Sequence, residues 1–200
     1  MYQACVLSTL LYGSETWTTY ASQEKRLNCF HLRCLRRLLQ VRWQDRVTNS
    51  EVLQRANIPS LFALLGQKRL KWLGHVRRME DGRIPKDLLY GELREGSRPV
   101  GRPHLRFRDV CKRDMKAADI DSDDWERMAE DRHLWRVEVN EGMKRAETTR
   151  CEQHAARRER RKARAASVAV SSPFVCYNCT RDCLSRIGLY SHSRRCQSLS

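Results

Sequence analysis

The chain has 200 residues and sets 39 Lys and Arg against 24 Asp and Glu, a formal charge of +15, on an apolar fraction of 40%. That composition allows a core but not a generous one. Each Lys or Arg that neutralises a phosphate releases condensed counterions, so nucleic acid heads the partner classes, with an anionic membrane surface second.

Met1 to Leu11 is an apolar run without a basic start, too short to span a membrane, and suits a core helix better than a signal peptide; the chain reads as intracellular. From Gln23 to Gln40, Leu27, Phe30, Cys34, Leu35 and Leu38 recur at helical spacing, with Lys25, Arg26, Arg33, Arg36 and Arg37 mainly on the other side. Thr48 and Asn49 can cap a short helix through Ala56. A second long amphipathic helix is expected from Ser60 to Met79, burying Leu61, Leu64, Leu65, Trp72 and Val76 and showing Lys68, Arg69, Lys71, Arg77 and Arg78. Asp81-Gly82 and Pro85 end it, and Glu95 to Pro103 reads as a loop rich in Gly, Pro and Arg.

Helical periodicity resumes at Phe107, Val110, Cys111 and Met115, and again at Trp125, Met128, Ala129 and Trp135. No alternating segment is long enough for a sheet. Arg145 to Ala166 holds eight basic residues against three acids, a local +5 with little to bury, and reads as a solvated helix or a disordered arm. The expected fold class is mainly α: a basic helical domain over 1–143, a basic helix and linker over 144–172, and a small ββα zinc finger over 173–198.

Five of the nine cysteines (Cys5, Cys29, Cys34, Cys111, Cys151) are scattered and read as reduced thiols, whereas Cys176, Cys179, Cys183 and Cys196 crowd the end of the chain. The spacing Cys176-x2-Cys179-x12-His192-x3-Cys196 is that of a knuckle supplying two thiolates and a helix supplying two further ligands. Phe174, Cys183 and Leu189 stand where ββα fingers place core residues, so Cys183 reads as packing rather than as a ligand. One structural Zn²⁺ is the expected cofactor, and it should supply nearly all the folding energy of so short a segment, on the order of 10 kcal/mol. The helix positions that face base edges in such fingers fall on Ser185, Gly188 and Ser191, none of which can make a bidentate base contact. Arg181, Arg186, Arg194 and Arg195 can still grip phosphates, set against a finger that merely stabilises the chain end.

Several segments carry a resemblance: Leu11-Tyr12-Gly13-Ser14-Glu15-Thr16-Trp17, Cys34-Leu35-Arg36-Arg37-Leu38-Leu39, Arg42-Trp43-Gln44-Asp45-Arg46-Val47-Thr48-Asn49, Arg69-Leu70-Lys71-Trp72-Leu73-Gly74-His75-Val76-Arg77-Arg78-Met79, Gly101-Arg102-Pro103, and the tail Ser191-His192-Ser193-Arg194-Arg195-Cys196. Together they resemble the C-terminal part of reverse transcriptases from non-LTR (LINE-type) retrotransposons. The resemblance implies a region that follows the polymerase thumb and helps hold template RNA and target DNA. It does not bring the polymerase with it, because the Tyr-x-Asp-Asp element that clamps two Mg²⁺ ions is missing. The only Asp-Asp pair, Asp123-Asp124, reads as an acidic helix N-terminus.

Arg98-Pro99-Val100-Gly101-Arg102-Pro103 comes near an AT-hook core, with Val100 in place of its first Arg, so Arg98 and Arg102 are candidates for a minor groove or for phosphates. Arg157, Arg158, Arg160 and Arg161 suit an RNA-gripping arm or a nuclear localisation signal, against a solvated linker. Trp17, Trp43, Trp72, Trp125 and Trp135 read as packing residues rather than base-stacking platforms. No nucleophilic constellation marks an enzyme or a small-molecule substrate.

The sequence therefore predicts a non-catalytic, zinc-binding fragment that contacts RNA, DNA or both through phosphates, nuclear in preference to cytoplasmic and without a membrane partner. Its alternatives are a protein-interaction module presenting Leu184, Ile187 and Tyr190 on the finger, and a transposon remnant without function.

Overall fold

The structure, a computed structural model, describes residues 1–91, 105–168, 174–183 and 185–196. It is mainly α, as the periodicity predicts, and divides into two compact units, Met1–Arg150 and Cys151–Ser200. The division falls inside one long helix rather than at a loop.

In the first unit a π-helical turn, Tyr2–Leu7, runs into α1 (Ser8–Leu10) and buries Leu7 and Leu11. Gly13 then takes a left-handed conformation, φ 68°, which a side chain would strain, and the helix stops. α2 (Ala21–Leu38) begins where the Gln23 side chain accepts the Tyr20 backbone N–H at 2.9 Å. α3 (Asn49–Ala56) starts on Thr48, whose hydroxyl accepts the Glu51 N–H at 3.3 Å, and ends on left-handed Asn57. Ser60 caps α4 (Leu61–Arg77) in the same way, and its own hydroxyl donates to Glu147.

Pro85, expected to end a helix, instead lies in the first turn of α5 (Ile84–Tyr90), where a missing N–H costs nothing. α6 (Phe107–Ala117), α7 (Trp125–Glu130) and α8 (Arg132–Val168) follow. Asp124 stands at the N-terminus of α7, the place expected for the acidic pair. The Gly-, Pro- and Arg-rich loop expected near Glu95 to Pro103, with Arg98 and Arg102, lies outside the described residues.

α4 is the centre of this unit and contacts α2, α5, α6 and α7. Its Leu70 and Leu73 join Cys111, Met115, Trp135, Val139 and Met143 in the main core cluster. Two glycines on α4 make room for α8: a Cβ at Gly66 would meet the Met143 side chain, and one at Gly74 would fall within the Trp135 indole. Trp135 is 1% exposed, and its indole N–H donates to the Leu70 carbonyl at 2.8 Å.

Arg69, expected on the solvent face of α4, is buried at 1% exposure. Its Nε donates to Asp114 at 2.7 Å, one Nη to Thr19 at 3.0 Å and the other to Glu24 at 3.1 Å, while Arg113 donates to the same Glu24 carboxylate at 2.6 Å. A periodicity argument sends every Arg outward; a guanidinium with its donors taken by an enclosed carboxylate pair can stay inside. Glu24 and His31 also take buried positions on α2, so that helix turns its Glu24–His31–Leu35 face inward and leaves the expected core residues Phe30 and Leu38 exposed. Trp43, read as packing, is 88% exposed in a 3₁₀ turn, Trp43–Asp45, held by the Asp45 carboxylate accepting the Arg42 N–H.

A candidate metal centre

In the second unit the chain runs antiparallel to itself through a single bridge, Val175 to Asp182, with the Cys176 N–H on the Arg181 carbonyl at 2.9 Å and the Cys183 N–H on Phe174 at 2.9 Å. Thr180 adopts φ 58° to close the turn, and its N–H donates to Cys176 at 2.7 Å. The hairpin expected for a ββα finger is thus reduced to a bridged knuckle, since no strand is formed among the described residues. α9 (Arg186–Ser193) starts on Ser185, whose hydroxyl accepts the Gly188 N–H at 3.1 Å. Gly188 allows the helix to approach the Cys183 carbonyl, which a Cβ would strike.

This frame brings Cys176, Cys179, His192 and Cys196 together, with their ligand atoms all within 4.8 Å of one another. The Cys176 and Cys196 sulfurs stand 3.9 Å apart, and Cys179 Sγ lies 3.0 Å from His192 Nε2. Tetrahedral zinc with Zn–S bonds of about 2.3 Å places ligand sulfurs roughly 3.8 Å from each other, so the donor set fits such an ion in both chemistry and size. His192 sits in the last turn of α9, and Cys196 comes from the backbone just beyond it rather than from the helix itself.

The thiols are unequal. Backbone N–H groups of Cys179 and Asn178 pull Cys176 down to about 7, whereas the Cys179 side chain, burial and the Cys176 sulfur hold Cys196 up to about 11. Cys176 is therefore held closer to its thiolate form than Cys196, and a cation that takes both sulfurs would displace a proton from Cys196. Phe174, Cys183 and Leu189, the expected packing residues, are half-buried.

The other candidates are spread over both units. Arg157, Arg158, Arg160 and Arg161 are exposed along α8. Arg186, Arg194 and Arg195 are exposed on and just after α9, and Arg194 lies over the Tyr190 ring at 5.4 Å. Ser185 spends its hydroxyl on the cap, and Gly188 has no side chain to offer a base. Of the apolar finger positions, Ile187 and Tyr190 are exposed, Tyr177 joins them, and Leu184 lies outside the described residues. Trp43 is a further candidate that the sequence reading discarded, and the neighbouring Arg42 and Arg46, both exposed, were the signal that could have marked it. Among the described residues no helix is long and apolar enough to cross a membrane.

The chain is similar to an uncharacterised transposon-derived protein of Caenorhabditis elegans, at 28% identity over 144 residues that cover 68% of this chain and 51% of the other. It thus spans about half the length of that relative. The chain matches no family model, and no solved structure is significantly similar to it.

Proposed function

We propose that this chain is a zinc-binding, non-catalytic nucleic-acid-binding fragment of retrotransposon origin that grips RNA or DNA through phosphates, without reading bases. The observation that carries the reading is the Cys176, Cys179, His192 and Cys196 set on a finger that offers exposed arginines and has only Ser185, Gly188 and Ser191 at the helix positions that face base edges. The similarity to a transposon-derived protein supports the origin, and the excess of +15 supports the partner class. Arg157, Arg158, Arg160 and Arg161 on α8, with Arg186, Arg194 and Arg195 at the finger, are the proposed phosphate contacts. The same α8 arginines suit nuclear import, which makes the nucleus the proposed location. The exposed Trp43 adds an aromatic face on which an unpaired base can stack.

Binding of the purified chain to single-stranded RNA and duplex DNA, measured at two salt concentrations with and without zinc, tests this. The expected result is affinity that falls steeply with salt and does not vary between unrelated sequences. Absence of binding at low salt would refute it. A second reading, a protein-interaction finger, is favoured by the exposed Tyr177, Ile187 and Tyr190, and predicts association that persists at high salt.

A further inference from the structure

Between the C-terminal half of α4 and the first turns of α8 lies a cleft of about 360 Å³, lined by Lys71, His75, Arg78, Arg132, Trp135 and Arg136. Spacing explains the convergence: residues 71, 75 and 78 share one face of α4, and 132 and 136 share one face of α8. Trp135 is their floor, fixed by its bond to Leu70 and too buried to stack on a base.

Like charges four residues apart on a helix repel, so the arrangement costs stability. Elsewhere in this unit some cations are paired with nearby acids, Arg69 with Glu24 and Asp114, Arg77 with Glu126 and Glu130, Arg127 with Asp124 and Arg55 with Glu51. Lys71, Arg132 and Arg136 form no ion pair among the described residues, and burial and then the nearby Arg136 pull Lys71 below the usual lysine range. Arg78 is lowered by burial and by Arg132, and donates to the Ala129 carbonyl. Asp131 pulls Arg78 the other way, and its carboxylate also accepts the backbone N–H groups of His133 at 2.7 Å and Leu134 at 3.0 Å. Cations held together with one carboxylate, Asp131, acting on Arg78 and no ion pair to Lys71, Arg132 or Arg136 among the described residues, over an apolar floor at the surface, attract an anion that arrives from outside.

We propose that this cleft is a second nucleic-acid site, in which Lys71, Arg132 and Arg136, with His75 and Arg78, hold the phosphodiester backbone of an RNA or DNA strand. It rests on the nucleic-acid reading above but uses residues of the first unit, none of which belongs to the metal centre or to the α8 arm. The lysine and arginines of the cleft are assigned to phosphates, contacts that position a strand without selecting a sequence.

The test uses the full chain loaded with zinc, labelled single-stranded RNAs and DNAs of unrelated sequence, and a series of salt concentrations. Variants Arg132→Gln, Arg136→Gln and their combination with Lys71→Gln are compared with Arg157→Gln/Arg158→Gln/Arg161→Gln on the arm, after thermal melts establish that each is folded. Each cleft substitution should lower the slope of log affinity against log salt by about 0.7 to 0.9, and the triple variant should bind about tenfold or more weakly, equally for every sequence. Because Arg132 and Arg136 are exposed, their two single variants decide the matter even if the triple variant unfolds. Wild-type slope and affinity in the cleft variants, with weakened binding in the arm variant, would overturn the cleft and leave the proposed function standing. No binding by the wild type would remove both. Tighter binding to phosphatidylserine vesicles than to RNA, lost in the triple variant, would assign the cleft to a lipid surface and also overturn the proposal.

Discussion

At the scale of single residues, the largely apolar interior of the first unit also encloses charged and polar groups, Glu24, His31, Arg69 and Asp114 among them. Arg69 is an enclosed cation between Glu24 and Asp114, with Arg113 closing the rim. Replacing Arg69 with Met removes the buried cation that Glu24 and Asp114 share, leaving them only Arg113 and the Thr19 hydroxyl, and should cost about 3–5 kcal/mol in a denaturant melt, against less than about 1 kcal/mol for an exposed pair such as Arg55 and Glu51. His31 accepts the Tyr2 hydroxyl at 2.9 Å, if its proton sits on Nε2, and burial depresses its pKa, partly offset by the Pro59 backbone. The folded state thus favours neutral His31, so the unfolded chain binds more protons once the pH falls below about 6.5. Stability from this site is fully present above that pH and is lost as the pH falls towards the depressed folded value. Melting temperatures between about pH 7.5 and pH 5 should therefore fall further for the wild type than for His31→Gln; parallel curves would rule the site out as a source of acid sensitivity.

At the scale of elements, α4 and α8 pack closely because Gly66 and Gly74 leave space for Met143 and Trp135. Gly74→Ala improves helix propensity by about 1 kcal/mol in isolation, yet its Cβ would enter the indole, so it should destabilise the chain by about 1–3 kcal/mol. A net stabilisation in a thermal melt would contradict this packing. The helices themselves were legible in the sequence: the Thr48 and Ser60 caps, the apolar spacing through Leu61, Leu65 and Val76, and the Phe107–Met115 run all stand as expected. What periodicity missed has physical causes. Pro85 reads equally as a stop or as a first-turn residue, and buried Arg69, Glu24 and His31 depend on partners far away in sequence, which no local pattern contains. Trp43 was misread because residue type was allowed to stand for burial, although a 3₁₀ turn between two helices has no face to hide it. The metal set was legible for the opposite reason, since its four donors lie within 21 residues of chain and their spacing is itself the constraint.

At the scale of the molecule, the first unit has an apolar core, and the second has few buried residues among those described. Cys176 is the one buried hydrophobic residue described in residues 174–196, so metal binding has to replace a core there. Chelation should accordingly abolish amide-exchange protection in residues 174–196 while leaving that of α4 and α6 intact; equal protection with and without metal would show that the finger folds without it. The central claim is most directly tested by titrating Co²⁺, a spectroscopic stand-in for zinc, into the reduced chain and its Cys176→Ser variant. One ion per chain should bind, with the visible absorption of a tetrahedral site bearing thiolates, displaced by zinc and weakened in the variant. Absence of stoichiometric binding, or an identical spectrum from Cys176→Ser, would contradict it.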